Sequence, residues 1–147
     1  MQPKRLFILG LALLATLAVV APVRAQDDEG GDNKAIAQFL KNPQILVRQL
    51  HLTATQTTTL RTLATATRTA IRPIADEIKT LSEQIRDGLN AANPDACALG
   101  ALLVTRHGKY EQIETLLQNF DDDFSAILTP EQLLRYDALK DRIDRPR

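Results

Sequence analysis

Five cationic side chains on one predicted helix are the chain's best candidates for a binding role. They are Arg61, Arg68, Arg72, Lys79 and Arg86. Because steps of four and seven residues return to nearly the same side of an α-helix, these side chains form one cationic stripe. The stripe could attract acidic polypeptide segments, or it could be an ordinary solvated face that forms ion pairs with Asp76, Glu83 and Asp87.

Apolar side chains accompany the cations on the same predicted helix. Ile71, Ile74 and Ile78 are spaced by three and four residues. If these groups are exposed, they would attract unfolded segments, which differ from folded ones chiefly in the apolar surface that they have not buried. The eight residues together are therefore candidates for binding unfolded polypeptides.

The histidines and the single cysteine do not match a known metal motif. His107 and Glu111 can share a helix face and supply two ligands, whereas His51 has no such neighbour. A buried apolar thiol is the favoured interpretation of Cys97, and a disulfide between two subunits is the alternative. No metal ligand and no cofactor are predicted.

Motifs for catalysis are not recognisable in the sequence. No nucleophile, base and orienting group occur in a known pattern, and no glycine-rich phosphate loop is present. We therefore expect no catalytic residue and no enzymatic activity.

A long helix must carry the cationic stripe, and the sequence predicts one from Leu52 to Gly88. Its apolar positions recur at steps of three and four, which places them on one face. They are Leu60, Leu63, Thr67, Ala70, Ile71, Ile74, Ile78, Leu81 and Ile85. Pro73 removes one ladder hydrogen bond, but the pattern continues in phase beyond it, so we expect a kink rather than a break.

A second long amphipathic helix is predicted after a turn at Asn93-Pro94-Asp95. Its apolar positions are Leu99, Leu103, Tyr110, Ile113, Leu117, Phe120, Phe124 and Ile127. Gly100 and Gly108 lie within it, and a close helix crossing would explain them. Two long helices joined by a short turn form an antiparallel hairpin.

The start of the long helix and the start of the last helix share one motif, Leu-Thr-x-x-Gln. The first copy places Thr53 and Gln56 after Leu52. The second copy consists of Leu128, Thr129 and Gln132. In each, the threonine hydroxyl can cap the first turn while the glutamine bonds back to the cap's own amide, which is a reciprocal capping box. Both copies therefore predict helix starts.

Shorter helices complete an all-α fold. One is predicted from Lys34 to Leu40, another after Asn42-Pro43, and the last from Pro130 to about Ile143. The hairpin alone leaves part of each apolar face in water, so these helices, a second subunit or a ligand must cover it. We expect a homodimer.

Residues 1–25 have the features of a cleavable secretory signal peptide. Lys4 and Arg5 precede an apolar run that is too short to favour a permanent membrane span, and small residues precede the cleavage point. Residues 26–33 are acidic and lack apolar groups, which predicts a flexible leader before one helical domain at 34–147. We expect export to the periplasm without stable membrane insertion.

The charge balance of the exported chain does not favour nucleic acid as a partner. Cleavage would remove three of the 18 Lys and Arg residues and none of the 18 Asp and Glu residues. The remaining net charge is about −3, with both histidines neutral. We therefore expect no nucleic-acid binding.

Two Leu-Thr-x-x-Gln motifs that bracket a helical hairpin behind a signal peptide resemble the Spy/CpxP family of periplasmic stress proteins. The similarity covers residues 45–140 and includes both motifs. The resemblance implies a cradle-shaped, all-α dimer that holds unfolded or misfolded polypeptides without ATP, or an inhibitor of envelope-stress signalling. Relatives of this hairpin fold include heavy-metal resistance sensors, so a metal-responsive periplasmic protein is a further alternative.

Overall fold

Five α-helices make up the fold in a computed structural model, which describes residues 31–145. They are α1 (Gly31–Lys41), α2 (Gln44–Gln49), α3 (Ala54–Leu89), α4 (Ala96–Ser125) and α5 (Pro130–Asp144). The predicted all-α class is confirmed. None of these five helices is both long and apolar enough to cross a membrane. The predicted signal peptide and residues 26–30 lie outside the described residues.

The two long helices form the predicted antiparallel hairpin. α3 has 36 residues, which corresponds to about 54 Å. Contacts between the helices pair Gly88 with Leu99 near the turn, Glu77 with Lys109 farther along, and Gln56 with Ile127 at the open end. From the turn to the open end, the residue numbers on α3 fall while those of their partners rise, so the two helices run in opposite directions. The hairpin is therefore the frame on which the other helices pack.

Local signals in the sequence set where the helices begin. Thr53 and Thr129 cap α3 and α5, each in a complete capping box. The side chain of Asp95 accepts hydrogen bonds from two backbone amides in the first turn of α4. α3 continues through Pro73 without a break, as predicted. These elements follow from short-range chemistry alone.

The main core lies at the open end of the hairpin, where α1, α2 and α5 cover α3 and α4. Its buried residues are Ala35, Ile36, Phe39, Leu40, Leu46, Leu50, Leu60, Ala64, Leu117, Phe120, Phe124 and Tyr136. Toward the turn, the buried side chains are Ile78, Ile85 and Leu99. The hairpin thus has a thick base and a thin arm of two helices.

Two expectations about local structure are wrong. α1 begins at Gly31 rather than Lys34, so the last three residues of the predicted leader are helical. A distant group ties α1 to α5, because the Asp144 carboxylate accepts a hydrogen bond from the Ala35 amide at 3.1 Å. Gly100 and Gly108 are not at a close crossing, since a Cβ atom on either would meet nothing within 4 Å.

Candidate functional site

All five residues of the cationic stripe are exposed on α3. Arg86 pairs with Asp87, which follows it in sequence, at 3.3 Å. Within residues 31–145, Arg61, Arg72 and Lys79 form no ion pair. Much of the stripe therefore keeps its positive charge free of an acidic partner from the same chain.

Arg68 differs from the rest of the stripe in how it is held. Its Nε atom donates a hydrogen bond to the Ala64 carbonyl oxygen at 3.0 Å, one turn earlier. Its Nη2 atom lies 3.5 Å from the Thr65 hydroxyl. These contacts lay the guanidinium along α3, toward the apolar side chains at the junction with α1 and α4.

Of the three isoleucines predicted beside the stripe, two keep accessible surface. Ile71 and Ile74 are half-buried. Ile78 is only 9 % exposed. The expectation that Ile78 is an exposed docking group is wrong, because α4 packs over this face of α3.

Ile71 lies in an apolar groove at the junction of α1, α3 and α4, which we name the α1 groove. Its volume is about 250 Å³. The groove is lined by Ala37, Leu40, Lys41, Arg68, Ile71, Arg72, Ile113 and Leu117. Lys41 and two cations of the stripe thus stand beside apolar groups contributed by three helices.

Additional apolar surface lies on the thin arm of the hairpin. Leu89 is 60 % exposed and Val104 is 74 % exposed. Leu103 and Tyr110, which the periodicity assigned to the buried face, are 44 % and 46 % exposed. That assignment is wrong because none of the other described helices except α3 packs on this half of α4. Val104, which directly follows Leu103 and falls outside the apolar stripe, is the sequence signal for this surface.

The two Leu-Thr-x-x-Gln motifs meet at the base of the hairpin. Gln56 and Gln132 face each other, and each side-chain amide donates to the other's oxygen, at 2.8 and 3.1 Å. The remaining donor of Gln56 goes to the Ile127 carbonyl at 2.9 Å. The remaining donor of Gln132 goes to the Leu50 carbonyl at 3.3 Å. The motifs therefore join helix ends that are distant in sequence.

This glutamine pair also completes both capping boxes. The side-chain oxygen of Gln56 accepts from the Thr53 amide, and that of Gln132 accepts from the Thr129 amide, each at 3.0 Å. Every donor of both amide groups and both oxygens therefore has a partner, which removes the cost of placing them in a partly buried site. The six motif residues position the helices and do not form a chemical site.

A second polar cluster attaches α5 to α4. The Tyr136 hydroxyl donates to Asp121 at 2.6 Å, and Lys140 Nζ lies 3.0 Å from the same carboxylate. The Tyr136 ring is fully buried and packs against Phe39 and Phe124, with ring centres 5.7 and 5.2 Å away. One side chain thus contacts both α1 and α4 while its hydroxyl is satisfied.

Tyr136 and Lys140 make the stability of the fold vary with pH in the alkaline range. Burial raises the pKa of Tyr136, and the hydrogen bond and negative charge of Asp121 raise it further. Burial opposes the charge of Lys140, but hydrogen bonds and charges from Asp121 and Asp137 outweigh it, so the pKa of Lys140 is raised as well. Both folded-state pKa values exceed the unfolded ones, so both groups favour the folded state until the unfolded chain begins to lose these protons.

We expect the free energy of unfolding to fall as pH rises above about 10, where unfolded Tyr and Lys begin to deprotonate. Tyr136→Phe should lower stability at pH 7 by about 1.5–3 kcal/mol, through loss of a hydrogen bond to a charged group. It should also flatten the alkaline decline, since only Lys140 then contributes. Urea unfolding of the parent and the variant at pH 7 and 10.5 measures the loss of stability and the change in its alkaline decline. Tyr110→Phe, at an exposed tyrosine, is the control, and equal effects of the two variants would contradict the assignment.

The histidines are both exposed. His51 follows α2 in the left-handed region, with φ of 50°. The Leu52 amide then bonds to the Val47 carbonyl at 3.3 Å, which matches the long bond of a Schellman motif and gives His51 a structural role. His107 Nε2 lies 3.5 Å from Glu111 on the predicted shared face.

Cys97 is exposed in the first turn of α4. The expectation of a buried thiol is wrong, because residues 91–98 at the tip of the hairpin are exposed throughout. Across residues 31–145, no group of three or more His, Cys, Asp or Glu side chains is placed to hold a metal ion. A disulfide between subunits through Cys97 stays a prediction.

Comparison with known proteins assigns the chain to a family. A family model described as heavy-metal resistance matches residues 8–135. Searches found no match among curated proteins or solved structures. The matched family is related to the Spy/CpxP helical periplasmic proteins, so the predicted kinship is confirmed at this broader level. Because the match spans most of the sequence, the chain belongs to the heavy-metal resistance family.

Proposed function

We propose that this protein binds unfolded or misfolded polypeptides without nucleotide, as a chaperone of the periplasm under envelope stress. The observation that carries the proposal is a row of exposed cations, of which Arg61, Arg72 and Lys79 lack acidic partners among the described residues. The half-buried Ile71 and Ile74 lie on the same helix. This surface combines charge with apolar area, the two properties that an acidic unfolded segment can engage.

Binding of this kind must be the sum of weak contacts. An exposed ion pair contributes about 0–1 kcal/mol, so several cations must act together. The exposed Leu89, Leu103, Val104 and Tyr110 on the arm extend the apolar area available to an unfolded chain. Salt should weaken the charged part of the interaction, since charges are screened over about 10 Å at 0.1 M.

The experiment that tests this function follows light scattering by a chemically denatured acidic protein after dilution. Addition of the purified chain at equal molar concentration, without nucleotide and with chelator present, should lower the final scattering. An unrelated helical protein of similar net charge is the control. Scattering that matches the control at all ratios would refute the proposal.

A role in metal sensing or resistance is the second candidate, and the family match favours it. Among residues 31–145, the predicted ligands that lie together are the exposed His107 and Glu111, and this pair supplies two donors rather than a closed site. We expect calorimetric titration with zinc or copper to show no tight site at fixed stoichiometry. A tight site that His107→Ala removes would favour the sensor instead.

Inhibition of an envelope-stress receptor is a further alternative. Binding of the purified chain to that receptor's periplasmic domain would support it.

A homodimer is proposed as the working form. Leu103, Val104 and Tyr110 leave an uncovered apolar strip on the thin arm, and a second copy could cover it. Sedimentation at micromolar concentration should give twice the chain mass, under reducing conditions as well. Val104→Glu should shift the population toward monomer because it places a charge in that strip. A monomer at all concentrations would contradict the dimer.

A further inference from the structure

We propose that the α1 groove binds a single-chain anionic amphiphile, namely a medium-chain fatty acid with its carboxylate ionised. The apolar lining comes from three helices, through Ala37 and Leu40 of α1, Ile71 of α3, and Ile113 and Leu117 of α4. Leu40 and Leu117 are buried members of the main core. Because two lining residues are fixed in the main core, the groove is largely formed before a ligand arrives.

The volume of the α1 groove limits the size of the ligand. At about 250 Å³, the groove is larger than the ~150 Å³ apolar cavity that accepts one benzene molecule. It is smaller than the pockets of about 300–1,000 Å³ that hold drug-sized ligands. One short hydrocarbon chain matches this volume, whereas the two long chains of a phospholipid would extend out of the groove.

The polar side chains of the groove determine the chemistry of the head group. They are Lys41, Arg68 and Arg72, and no carboxylate from residues 31–145 lines the groove. Lysine and arginine can only donate hydrogen bonds, and an ionised carboxylate can only accept them. A polypeptide backbone also needs acceptors for its N–H groups, and the lining side chains provide none. The groove thus complements an acceptor-only head on an apolar tail.

The cations are also available to a ligand. Lys41 and Arg72 are exposed, and neither forms an ion pair with another residue of 31–145. The hydrogen bond from Arg68 to the Ala64 carbonyl holds that guanidinium in place before binding. The site shares Arg68, Ile71 and Arg72 with the surface proposed for polypeptides, but it does not depend on that function.

Titration calorimetry of the full chain with decanoate, below its micelle concentration, tests the proposal. We expect saturable one-to-one binding. Hexanoate should bind more weakly, by up to about fourfold for each methylene removed, which is the fold-change equivalent to ~0.8 kcal/mol. Nonyltrimethylammonium has the same alkyl tail with a positive head and should not bind, and acetate should give no measurable heat. Equal binding of the cationic and anionic amphiphiles would overturn the proposal.

Variants separate the groove from general adsorption. Ala37→Phe should fill the groove and weaken decanoate binding at least tenfold. Arg72→Gln should remove one donor and weaken binding about two- to fivefold, the fold-change equivalent to ~0.4–1 kcal/mol for one exposed ion pair. Arg48→Gln, at an exposed arginine of α2 outside the groove, should leave binding unchanged. Unchanged binding in Arg72→Gln, which cannot disturb the core from its exposed position, would refute the site even if Ala37→Phe unfolds. Displacement of decanoate by a neutral apolar peptide, at lower concentration than by octanoate, would show instead that the groove is a polypeptide site.

Discussion

Replacement of Gln132 with leucine is expected to destabilise the fold by about 2–4 kcal/mol, because it leaves several partly buried polar groups without partners. The side-chain nitrogen of Gln132 donates hydrogen bonds to the Leu50 carbonyl and to the Gln56 side-chain oxygen, and its side-chain oxygen accepts one from the Thr129 amide. All three partners lie at the base, where α3 and α5 begin and α2 ends. Urea unfolding followed by circular dichroism measures the change in free energy.

Gln118→Leu is the matched control for this prediction. Gln118 is exposed on α4, and a surface substitution of this kind should change stability by no more than about 0.5 kcal/mol. If Gln132→Leu and Gln118→Leu have equal effects, the glutamine pair is not what holds the base together.

An isosteric change tests the same pair through pH. Gln56→Glu replaces an amide donor by a carboxylate that would face the Ile127 carbonyl and the Gln132 oxygen. Because the ionised form is disfavoured there, the pKa of the new carboxyl should lie above its unfolded value of about 4.3. The charge-dependent part of the destabilisation should be full above the folded-state pKa and should disappear as pH falls below the unfolded one, where the protonated carboxyl can donate one of the two lost hydrogen bonds. A penalty that does not vary with pH would argue against a direct contact.

Reversal of three cations should abolish much of the proposed chaperone activity without unfolding the protein. Arg68, Arg72 and Lys79 are exposed, so their conversion to glutamate leaves the core untouched. At low salt, the triple variant should protect an acidic client several-fold less well than the parent, since attraction becomes repulsion along the middle of the stripe. Light scattering measures protection, and circular dichroism should show unchanged helix content.

A second triple variant controls for net charge. Lys34, Arg48 and Arg142 are exposed and lie off the stripe. Their conversion to glutamate changes the net charge by the same amount and should preserve protection. Equal losses in the two variants would assign the effect to overall charge, and no loss in either would leave the stripe as an ordinary solvated face.

The parts of the fold that could be predicted are those set by interactions between residues close together in the sequence. Apolar spacing, the two capping boxes and the turn at Asn93-Pro94-Asp95 each act within a few residues, and the helices begin close to the predicted positions. The pairing of Gln56 with Gln132 spans 76 positions. Each glutamine is already explained by its own capping box, so nothing local indicates a second set of bonds.

Exposure was the least predictable property of the candidate site. A helical repeat shows which side chains share a face, but not how far a third helix extends along that face. Ile78 is covered by α4, whereas no other helix within residues 31–145 covers Leu103 and Tyr110. The α1 groove depends on where α1 crosses the hairpin, and the contacts that fix this position, such as Asp144 with Ala35, are distant in sequence.

The central claim, that this chain recognises the unfolded state of a polypeptide, is tested most directly by fluorescence anisotropy with one labelled acidic protein in two forms. One form is native, and the other is kept unfolded by reduction and blocking of its cysteines. With chelator present and nucleotide absent, we predict saturable binding of the unfolded form that weakens between 0.02 and 0.5 M salt, as the Debye length falls from about 20 Å to about 4 Å. The native form should bind at least tenfold more weakly. Equal affinity for the two forms, or no binding to the unfolded one, would contradict the proposed function.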